Sequence, residues 1–314
     1  MLQSGEADWG WGLQVEKQIL DDLAANATTG EFLNEKFVDH ERIKLNFADP
    51  NAEVDGARSE PSTTHPFLTD LRVRQAFAFA VDRDTVAEEL YGPAGVATAN
   101  ILNMPPALTS PNTSYEFDLE KAAQLLDEAG WVRDGDTRAK DGVSMQILFQ
   151  TTTNTVRQKN QEIVKQDFKE IGVPVEIKAI DASVFFSSDA GNPDTANKFY
   201  ADFEMYSTGP LNLFPLDYMA SYKSADPGKD LAQKANSWTG PNRNRWVNSE
   251  YNELYAQLES ELFIAMNDLV VNEVVDIVEV HRNMVIGVNT KLKGNHLSPW
   301  TPGTWDIADW YFEE

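Results

Sequence analysis

The sequence predicts an α/β fold, and three observations carry that prediction. Residues 143–180 show an alternating apolar pattern, then a helical one, then alternation again, as expected for two parallel strands joined by a crossing helix. Residues 70–92 and 118–130 place apolar side chains at helical spacing. With 314 residues and 42% apolar side chains, the chain is long enough for two domains and can bury a core.

The segment before residue 70 predicts a helix, a strand and a polar connection. Residues 13–25 place apolar side chains on one face of a helix, and residues 42–47 alternate with the period of a half-buried strand. Residues 49–66 are rich in Pro, Ser, Thr, Asp and Glu. This composition is typical of a connection, so we expect a domain boundary there.

Helix ends and strands are marked along the rest of the chain. An Asp of the Asp82-Arg83-Asp84 turn and Asp118 are placed to cap helices, and Gly130 suits the left-handed position after a helix. Residues 199–205 alternate as a strand that leads into a loop at Ser207. A long helical pattern and two short strand candidates follow, at residues 248–272 and within residues 277–288.

Composition and charge exclude several classes of function. Fifty acidic side chains against 26 basic ones give a net charge of −24, which repels nucleic acid and anionic lipid. The chain has no cysteine, so disulfides, thiolate metal sites and cysteine nucleophiles are excluded. Its first twelve residues lack the basic and apolar regions of a signal peptide. We therefore expect either a cytoplasmic protein or a chain without its natural beginning.

The motifs of nucleotide sites and serine hydrolases are absent from the sequence, and the histidines lack the spacing of a metal site. Paired carboxylates carry no information among fifty acids. We therefore predict no cofactor, no metal and no catalytic residue. Predicted loops instead carry aromatic and amide side chains, which suit stacking on a flat group and hydrogen bonding to an uncharged backbone. The alternative is that the tryptophans among them only pack surfaces together.

Four segments carry a resemblance to a known family. They are SGEADWGWGLQVE (residues 4–16), HPFLTDLRVRQAFAFAVDRDTV (65–86), FDLEKAAQLLDEAGW (117–131) and NRWVNSEYNELY (244–255). Together they resemble the family 5 extracellular solute-binding proteins, which serve oligopeptide, dipeptide and nickel importers. The second segment is the most specific, because its RVRQA helix is followed by an Asp-Arg turn.

The resemblance implies a two-lobed α/β fold of the periplasmic-binding-protein type (class II, cluster C), with one lobe complete and the other partial. Residues 1–64 would belong to lobe I, residues 65–277 to lobe II, and residues 278–314 would return to lobe I. A missing N-terminal part would hold the secretion signal. The implied protein is a monomeric receptor on the periplasmic or extracellular face of the membrane. Its implied partners are a peptide-like solute and ABC permease subunits, and only the permease or a lipid anchor outside this chain would attach it to the membrane.

The resemblance also implies ligand contacts in two loops. One follows the DWGWG segment and the other follows a strand of lobe II. The predicted contacts are Trp11, Gly12 and Leu13 in the first loop, Met205, Tyr206, Ser207, Thr208, Gly209 and Asn212 in the second, and Trp238. Backbone groups of Ser207, Thr208 and Gly209 would pair with an extended peptide as an added strand does.

Two departures from the family pattern matter. Oligopeptide-binding members can carry an Asp after the second-lobe strand, whereas residues 209–215 (GPLNLFP) have no acid. The same scaffold with an oligosaccharide or metal chelate as ligand therefore stays open, as do a hydrolase and a ligand-presenting sensor. The family also inserts a turn where residues 258–265 run on without one. Because one helix of about 25 residues is unusual in a globular domain, we predict a break or a chain gap near Glu261 and Leu262.

Overall fold

The computed structural model describes residues 6–13, 16–257, 259–301 and 303–314, and its centre is a mixed seven-stranded sheet. The strands are β1 (Trp9–Gly10), β2 (Gly30–Leu45), β3 (Gly95–Ala97), β4 (Val132–Asp134), β5 (Thr137–Lys140), β6 (Val143–Ser144), β7 (Ile147–Thr152), β8 (Val175–Ile180), β9 (Phe203–Thr208), β10 (Asp276–Asn289), β11 (Leu292–Lys293) and β12 (Tyr311–Phe312). The order in the central sheet is β1-β10-β2-β9-β7-β8, with β3 also paired to β10. Only β7 runs parallel to its neighbours β8 and β9.

Helices cover both faces of this sheet. They are α1 (Lys17–Ala25), α2 (Leu71–Phe79), α3 (Arg83–Thr85), α4 (Leu119–Glu128), α5 (Thr155–Glu170), α6 (Ala182–Phe185), α7 (Leu216–Met219), α8 (Pro227–Asp230), α9 (Ser249–Gln257) and α10 (Phe263–Asn272). One face packs on α2, α4 and α5, where Phe77 lies 5.1 Å from Phe168 and 5.6 Å from Phe203, ring centre to ring centre. The other face packs on α7, α9 and α10. No helix among the residues described is long and apolar enough to cross a membrane.

The predictions of local structure that rested on clear helix ends, strand ends and turn residues are confirmed. Strands β7 and β8 are parallel and joined by α5. Asp82 accepts a hydrogen bond from the Thr85 N–H and Asp118 from the Lys121 N–H, so both cap their helices as predicted. Gly130 has a φ of +85°, which is the left-handed position after α4. Residues 49–66 hold no helix and no strand beyond an isolated bridge.

The predicted break in the long helical pattern is also confirmed. Helix α9 ends at Gln257 and α10 begins at Phe263, with one turn of 3₁₀ helix at Ser260–Leu262 between them. The predicted first helix begins later than expected, at Lys17. Leu13 lies outside it, where its N–H donates to the Val285 carbonyl at 3.0 Å, and Val15 lies outside the described residues.

Three strand predictions were wrong in extent. The strand predicted at residues 42–47 is the end of β2, which starts at Gly30. The two short strands predicted within residues 277–288 are one strand, β10, whose alternation is shifted by irregularities after Val278 and after His281. The strand predicted at residues 199–205 runs from Phe203 to Thr208, because an interior strand is buried on both faces and alternation does not mark its ends.

Candidate functional site

Strand β2 carries a dense run of titratable side chains where it crosses the middle of the sheet. Because successive side chains of a strand point to opposite faces, Asp39 and Glu41 lie on one face, and His40, Arg42 and Lys44 lie on the other. Glu41, Arg42 and Lys44 are at most 2% exposed. Buried charges need partners, so each face must hold a compensating cluster.

The compensating charge on the α7 side comes from the first residue of β10, Asp276. We name this group the Asp276 cluster: His40, Arg42, Lys44, Tyr218, Tyr222, Asn244 and Asp276. Arg42 Nε lies 3.1 Å and Lys44 Nζ 3.3 Å from the Asp276 carboxylate. Tyr222 OH donates to that carboxylate at 2.8 Å and Asn244 Nδ2 donates at 2.8 Å. Burial alone would raise the pKa of Asp276, but Lys44 and Arg42 outweigh it and hold the pKa below its ordinary value.

Tyr218 connects the Asp276 cluster to the protein surface. Its hydroxyl accepts a hydrogen bond from Arg42 Nη1 at 2.7 Å and lies 2.9 Å from His40 Nε2. Burial and the neighbouring Arg42 lower the pKa of His40 well below its ordinary value, so this imidazole is neutral. The hydroxyl of Tyr218 is therefore engaged by two buried side chains, Arg42 and His40.

The opposite face of the sheet holds a second group, the Glu41 cluster: Asp39, Glu41, Tyr91, Arg157, Ser207 and Arg282. Glu41 lies 2.7 Å from Arg157 Nε and accepts a hydrogen bond from Tyr91 OH at 3.0 Å. The Ser207 hydroxyl accepts from Arg282 at 2.6 Å and from Arg157 at 3.2 Å. Burial opposes ionisation of Glu41, but Arg157 and Arg282 lower its pKa below the ordinary value.

A cavity of about 280 Å³ opens between the end of β9 and helix α7. Its lining residues are Thr208, Gly209, Pro210, Leu211, Asn212, Phe214, Pro215, Asp217, Tyr218 and Ser221. The chain turns into this loop at Gly209, where a Cβ atom would lie 1.9 Å from the Val38 carbonyl oxygen. Only glycine allows so close an approach, so Gly209 fixes the path of the loop.

One side of β9 beside the cavity has no strand next to it. Pairing of β7 with β9 ends at Glu204, and no other described strand continues on that side. The Asn46 N–H donates to the Asp202 carbonyl, so even-numbered residues of β9 turn their backbone groups toward β2. The Met205 carbonyl, which accepts from the Thr151 hydroxyl, faces the other way. By the same alternation, the N–H and C=O of Ser207 face the unpaired side.

The predicted ligand contacts fall into one group at the cavity and two elsewhere. Met205, Tyr206, Ser207 and Thr208 lie in β9 rather than in a loop, which corrects that part of the prediction. Thr208, Gly209 and Asn212 line the cavity. The backbone of Thr208 faces His40 on β2, so among the three predicted backbone contacts Thr208 is turned away from the unpaired side.

The first predicted loop lies farther along the sheet. Leu13 bonds to Val285, four residues along β10 from the row where His281 pairs with His40, or roughly 13 Å at about 3.3 Å per residue. The Gly12 φ is +64°, and Trp11 is 63% exposed. A Cβ on Gly303 would lie 3.1 Å from the Trp11 ring, so this tryptophan borders the C-terminal segment.

The predicted contact Trp238 lies in a separate packing cluster. It is 7% exposed and packs edge to face on Tyr200, with Lys198 Nζ 4.4 Å above its ring. Neither it nor its partners line the cavity. The packing of Trp238 on Tyr200 and Lys198 therefore matches the alternative stated for the tryptophans, namely that they pack surfaces together.

Sequence reasoning missed His40, Arg42 and Tyr218. Tyr218 lines the cavity, and the other two hold its hydroxyl on the buried side. Their partners are distant in sequence: Arg42 and Tyr218 are separated by 176 positions. One signal was present, because four of residues 39–44 are charged and lie in or next to the predicted strand of residues 42–47. Such charges must meet partners when the strand is interior.

Two buried carboxyls next to the clusters have pKa values raised toward neutral pH. Burial raises the pKa of Glu279 to about 8, with Glu41 adding to the shift and Asn160 and Arg83 opposing it. Burial likewise raises the pKa of Glu204 to about 7. Asn160 Nδ2 donates to Glu279 Oε2 at 3.0 Å.

Replacing Glu279 with Gln is expected to flatten the dependence of stability on pH. A raised carboxyl pKa contributes stability that is full below the unfolded pKa of about 4.3 and is lost as pH rises through the folded pKa. For one such group the unfolding free energy falls by about 2 kcal/mol between pH 6 and 7.5. Urea unfolding across this range should show a fall that is smaller by about 2 kcal/mol in Glu279→Gln than in the wild type, because Glu204 still titrates there. The exposed Glu250→Gln serves as control, and an unchanged slope in Glu279→Gln would contradict the assignment.

Metal ligation by the protein alone finds no support in the described ranges, where no three His, Asp or Glu side chains are grouped to hold an ion. The arrangement offers instead a free strand edge, a cavity beside it and buried ion pairs beneath. Such a site can bind an extended chain without breaking a bond.

Comparison with known proteins identifies the family of the chain. The sequence profile described as "Bacterial extracellular solute-binding proteins, family 5 Middle" matches residues 1–230. A Brucella ovis protein named as an ABC transporter peptide-binding protein is 30% identical over 146 residues, which are 46% of this chain and 26% of the relative. The matched part is thus about a quarter of that relative's length.

Solved structures match over nearly the whole chain. The oligopeptide binding protein from Thermus thermophilus, solved with a pentapeptide, has a TM-score of 0.81 at 23% identity over 98% of this chain and 53% of that one. NikZ from Campylobacter jejuni, solved with Ni(L-His), has a TM-score of 0.75 at 21% identity over 98% of this chain and 58% of that one. The predicted two-lobed α/β fold is confirmed, and the chain spans about half the length of these structures. By its sequence profile, this chain belongs to the bacterial extracellular solute-binding proteins of family 5.

Proposed function

We propose that this chain is part of the substrate-binding component of an ABC importer, which captures a peptide-like solute and delivers it to a permease. Support comes from the family and from relatives named for peptide binding. The family description also supports a place outside the cytoplasm. In this proposal the protein breaks no bond, acts as a monomer, and meets the membrane only through the permease or an anchor outside this chain.

One observation carries the peptide part of the proposal: the backbone of Ser207 faces an unpaired side of β9 beside a cavity. An extended peptide laid along that side would bond through its own backbone, which gives affinity for many sequences. Its side chains would alternate between the cavity and the opposite side. The free edge therefore fits a peptide better than it fits a compact sugar.

The long strands suggest how binding is communicated. We propose that residues 1–64 and 278–314 belong to lobe I and residues 65–277 to lobe II, with β2 of lobe I paired along β10. Both strands extend well beyond the six residues of β2 that pair with β9. A ligand that binds the closed arrangement more tightly than the open one would shift the equilibrium between them. The permease would then recognise the closed form.

Replacing Ser207 with Pro is expected to weaken peptide binding about tenfold, because proline removes the N–H that the peptide would use. That N–H does not pair with β2, so the sheet keeps its hydrogen bonds. Calorimetric titration of Ala-Ala-Ala into the wild type and the variant measures the effect. Ser207→Ala is the matched control: it loses the hydroxyl but keeps the N–H, and should lose much less affinity.

The same titration distinguishes a peptide from the second candidate ligand, a metal chelate. NikZ was solved with Ni(L-His), and the loop of residues 209–215 has no acid to meet a peptide's free amine. A chelate would bond through its own groups and has no need of the strand edge. Binding of Ni(L-His) without binding of Ala-Ala-Ala, and equal affinity in both variants, would replace the peptide proposal.

A further inference from the structure

We propose that the cavity between β9 and α7 is a subsite for one uncharged side chain of the bound peptide, aromatic or large aliphatic, and that the loop of residues 210–215 sets this preference. This rests on the proposed function, because it assigns one ligand side chain to that site. The loop after β9 thus selects ligands by apolar contact.

The size of the cavity fits a single side chain. Pockets that enclose a whole small molecule start at about 300 Å³, and this one holds about 280 Å³. It is thus at the lower limit for a whole small molecule, and a peptide of several residues would lie partly outside it. One side chain can enter it, with the peptide backbone held outside along β9.

Part of the cavity lining is apolar surface that is exposed to solvent. Leu211 is 74% exposed and Phe214 is 44% exposed, although both line the cavity. Pro210 and Pro215 add apolar surface without a side-chain donor. Exposed apolar surface of this kind is covered favourably by an apolar partner, at about 25 cal/mol per Å².

The polar groups of the lining disfavour an acidic guest and attract a basic one only weakly, because Asp217 is exposed to water. The hydroxyl of Tyr218 is held by Arg42 and His40, so the guest meets its ring rather than its OH. Aromatic rings pair well with other rings in edge-to-face contacts. Among the residues that the structure describes, no lysine, arginine or histidine lines the cavity, and Asp217 is its one carboxylate. An acidic side chain would be repelled by Asp217 and would find no cation.

The position of the cavity ties it to the free strand edge. Thr208 ends β9 and, with Gly209 next to it, forms part of the cavity wall. The backbone of Gly209 passes so close to Val38 that no Cβ atom would fit between them. This close contact fixes the position of the cavity wall at Gly209. A peptide paired with Ser207 would therefore point one of its alternate side chains at a wall of fixed shape.

The test is a titration of the 314-residue chain with a matched set of tripeptides. Ala-Ala-Ala is compared with tripeptides that carry one Phe, Leu, Lys or Glu at each position in turn. At one position, Phe and Leu are expected to bind at least tenfold more tightly than Ala, and Glu more weakly than Ala. The same set is then measured with Leu211→Ser and with Leu213→Ser.

The two loop variants form a matched pair. Leu211 and Leu213 are both exposed, at 74% and 66%, but only Leu211 lines the cavity. The Phe-to-Ala affinity ratio should fall at least threefold in Leu211→Ser and stay unchanged in Leu213→Ser. Equal effects of the two variants, no preference for Phe or Leu at any position, or a preference for Lys through Asp217 would overturn the subsite. Failure of every tripeptide to bind would reject the proposed peptide function itself, and the subsite with it.

Discussion

The Asp276→Asn variant is expected to lose about 3–5 kcal/mol of unfolding free energy, because it leaves two buried cations without their anion. Arg42 and Lys44 are both at most 2% exposed and lie within 3.3 Å of the Asp276 carboxylate. The substitution keeps the shape of the side chain and removes only the charge. The amide nitrogen of the new side chain would also face donors.

Urea unfolding at several pH values measures this loss and tests its cause. The pKa of Asp276 is held below its ordinary value, so its contribution is full above the unfolded pKa of about 3.9 and is lost as pH falls through the folded pKa. The difference between wild type and Asp276→Asn should therefore shrink below about pH 4. Asp21→Asn, which breaks an exposed pair with Lys17, should cost much less than Asp276→Asn. A similar loss in both variants would contradict the assignment.

The parts of the fold that could be predicted are those specified by local sequence. The cap residues Asp82 and Asp118 bond within three positions of themselves, and the β7-α5-β8 unit is continuous in the chain. The pattern of such units survives in a single sequence because no distant segment is needed to complete it. The break before α10 was predicted for a different reason, since a longer helix would be unusual.

The long strands could not be predicted because distant partners define them. The first half of β2, from Gly30 to Lys36, is half-exposed and mixed in polarity, and only its pairing with β10 makes it a strand. In β10, the irregularity after Val278 breaks the alternation on which a prediction from sequence relies. Single-sequence periodicity therefore underestimates strands that are held by long-range pairing.

In the candidate site, too, the parts specified by local sequence could be predicted and those that depend on distant partners could not. The cavity lies at the segment that family resemblance indicated, and Thr208, Gly209 and Asn212 line it. Its support from Arg42 and Tyr218 was missed, because charged residues in a sequence are usually taken for solvent-facing ones. Their burial follows from the interior position of β2. That position depends on strands far away in the chain, and so it lies beyond local inference.

The Glu41→Gln variant is expected to lose about 3 kcal/mol of unfolding free energy, because Arg157 keeps its buried charge and loses its anion. The loss should be somewhat smaller than that of Asp276→Asn, since Arg282 is 16% exposed and can reach water. A double-mutant cycle with Arg157→Gln measures the pair directly. We expect a coupling free energy of at least about 1 kcal/mol, so that the double variant is less destabilised than the sum of the single ones.

Combining Glu41→Gln with Asp276→Asn tests whether the two clusters act separately. They lie on opposite faces of β2 and share no hydrogen-bonding partner among the described contacts. Their losses should therefore add within about 0.5 kcal/mol. A shift of β2 by one residue would turn Glu41 toward the Asp276 cluster and Arg42 toward the Glu41 cluster, so the two faces together oppose any slip in register. Strong coupling between the two substitutions would mean instead that the strand moves as a whole, with each cluster holding the other in place.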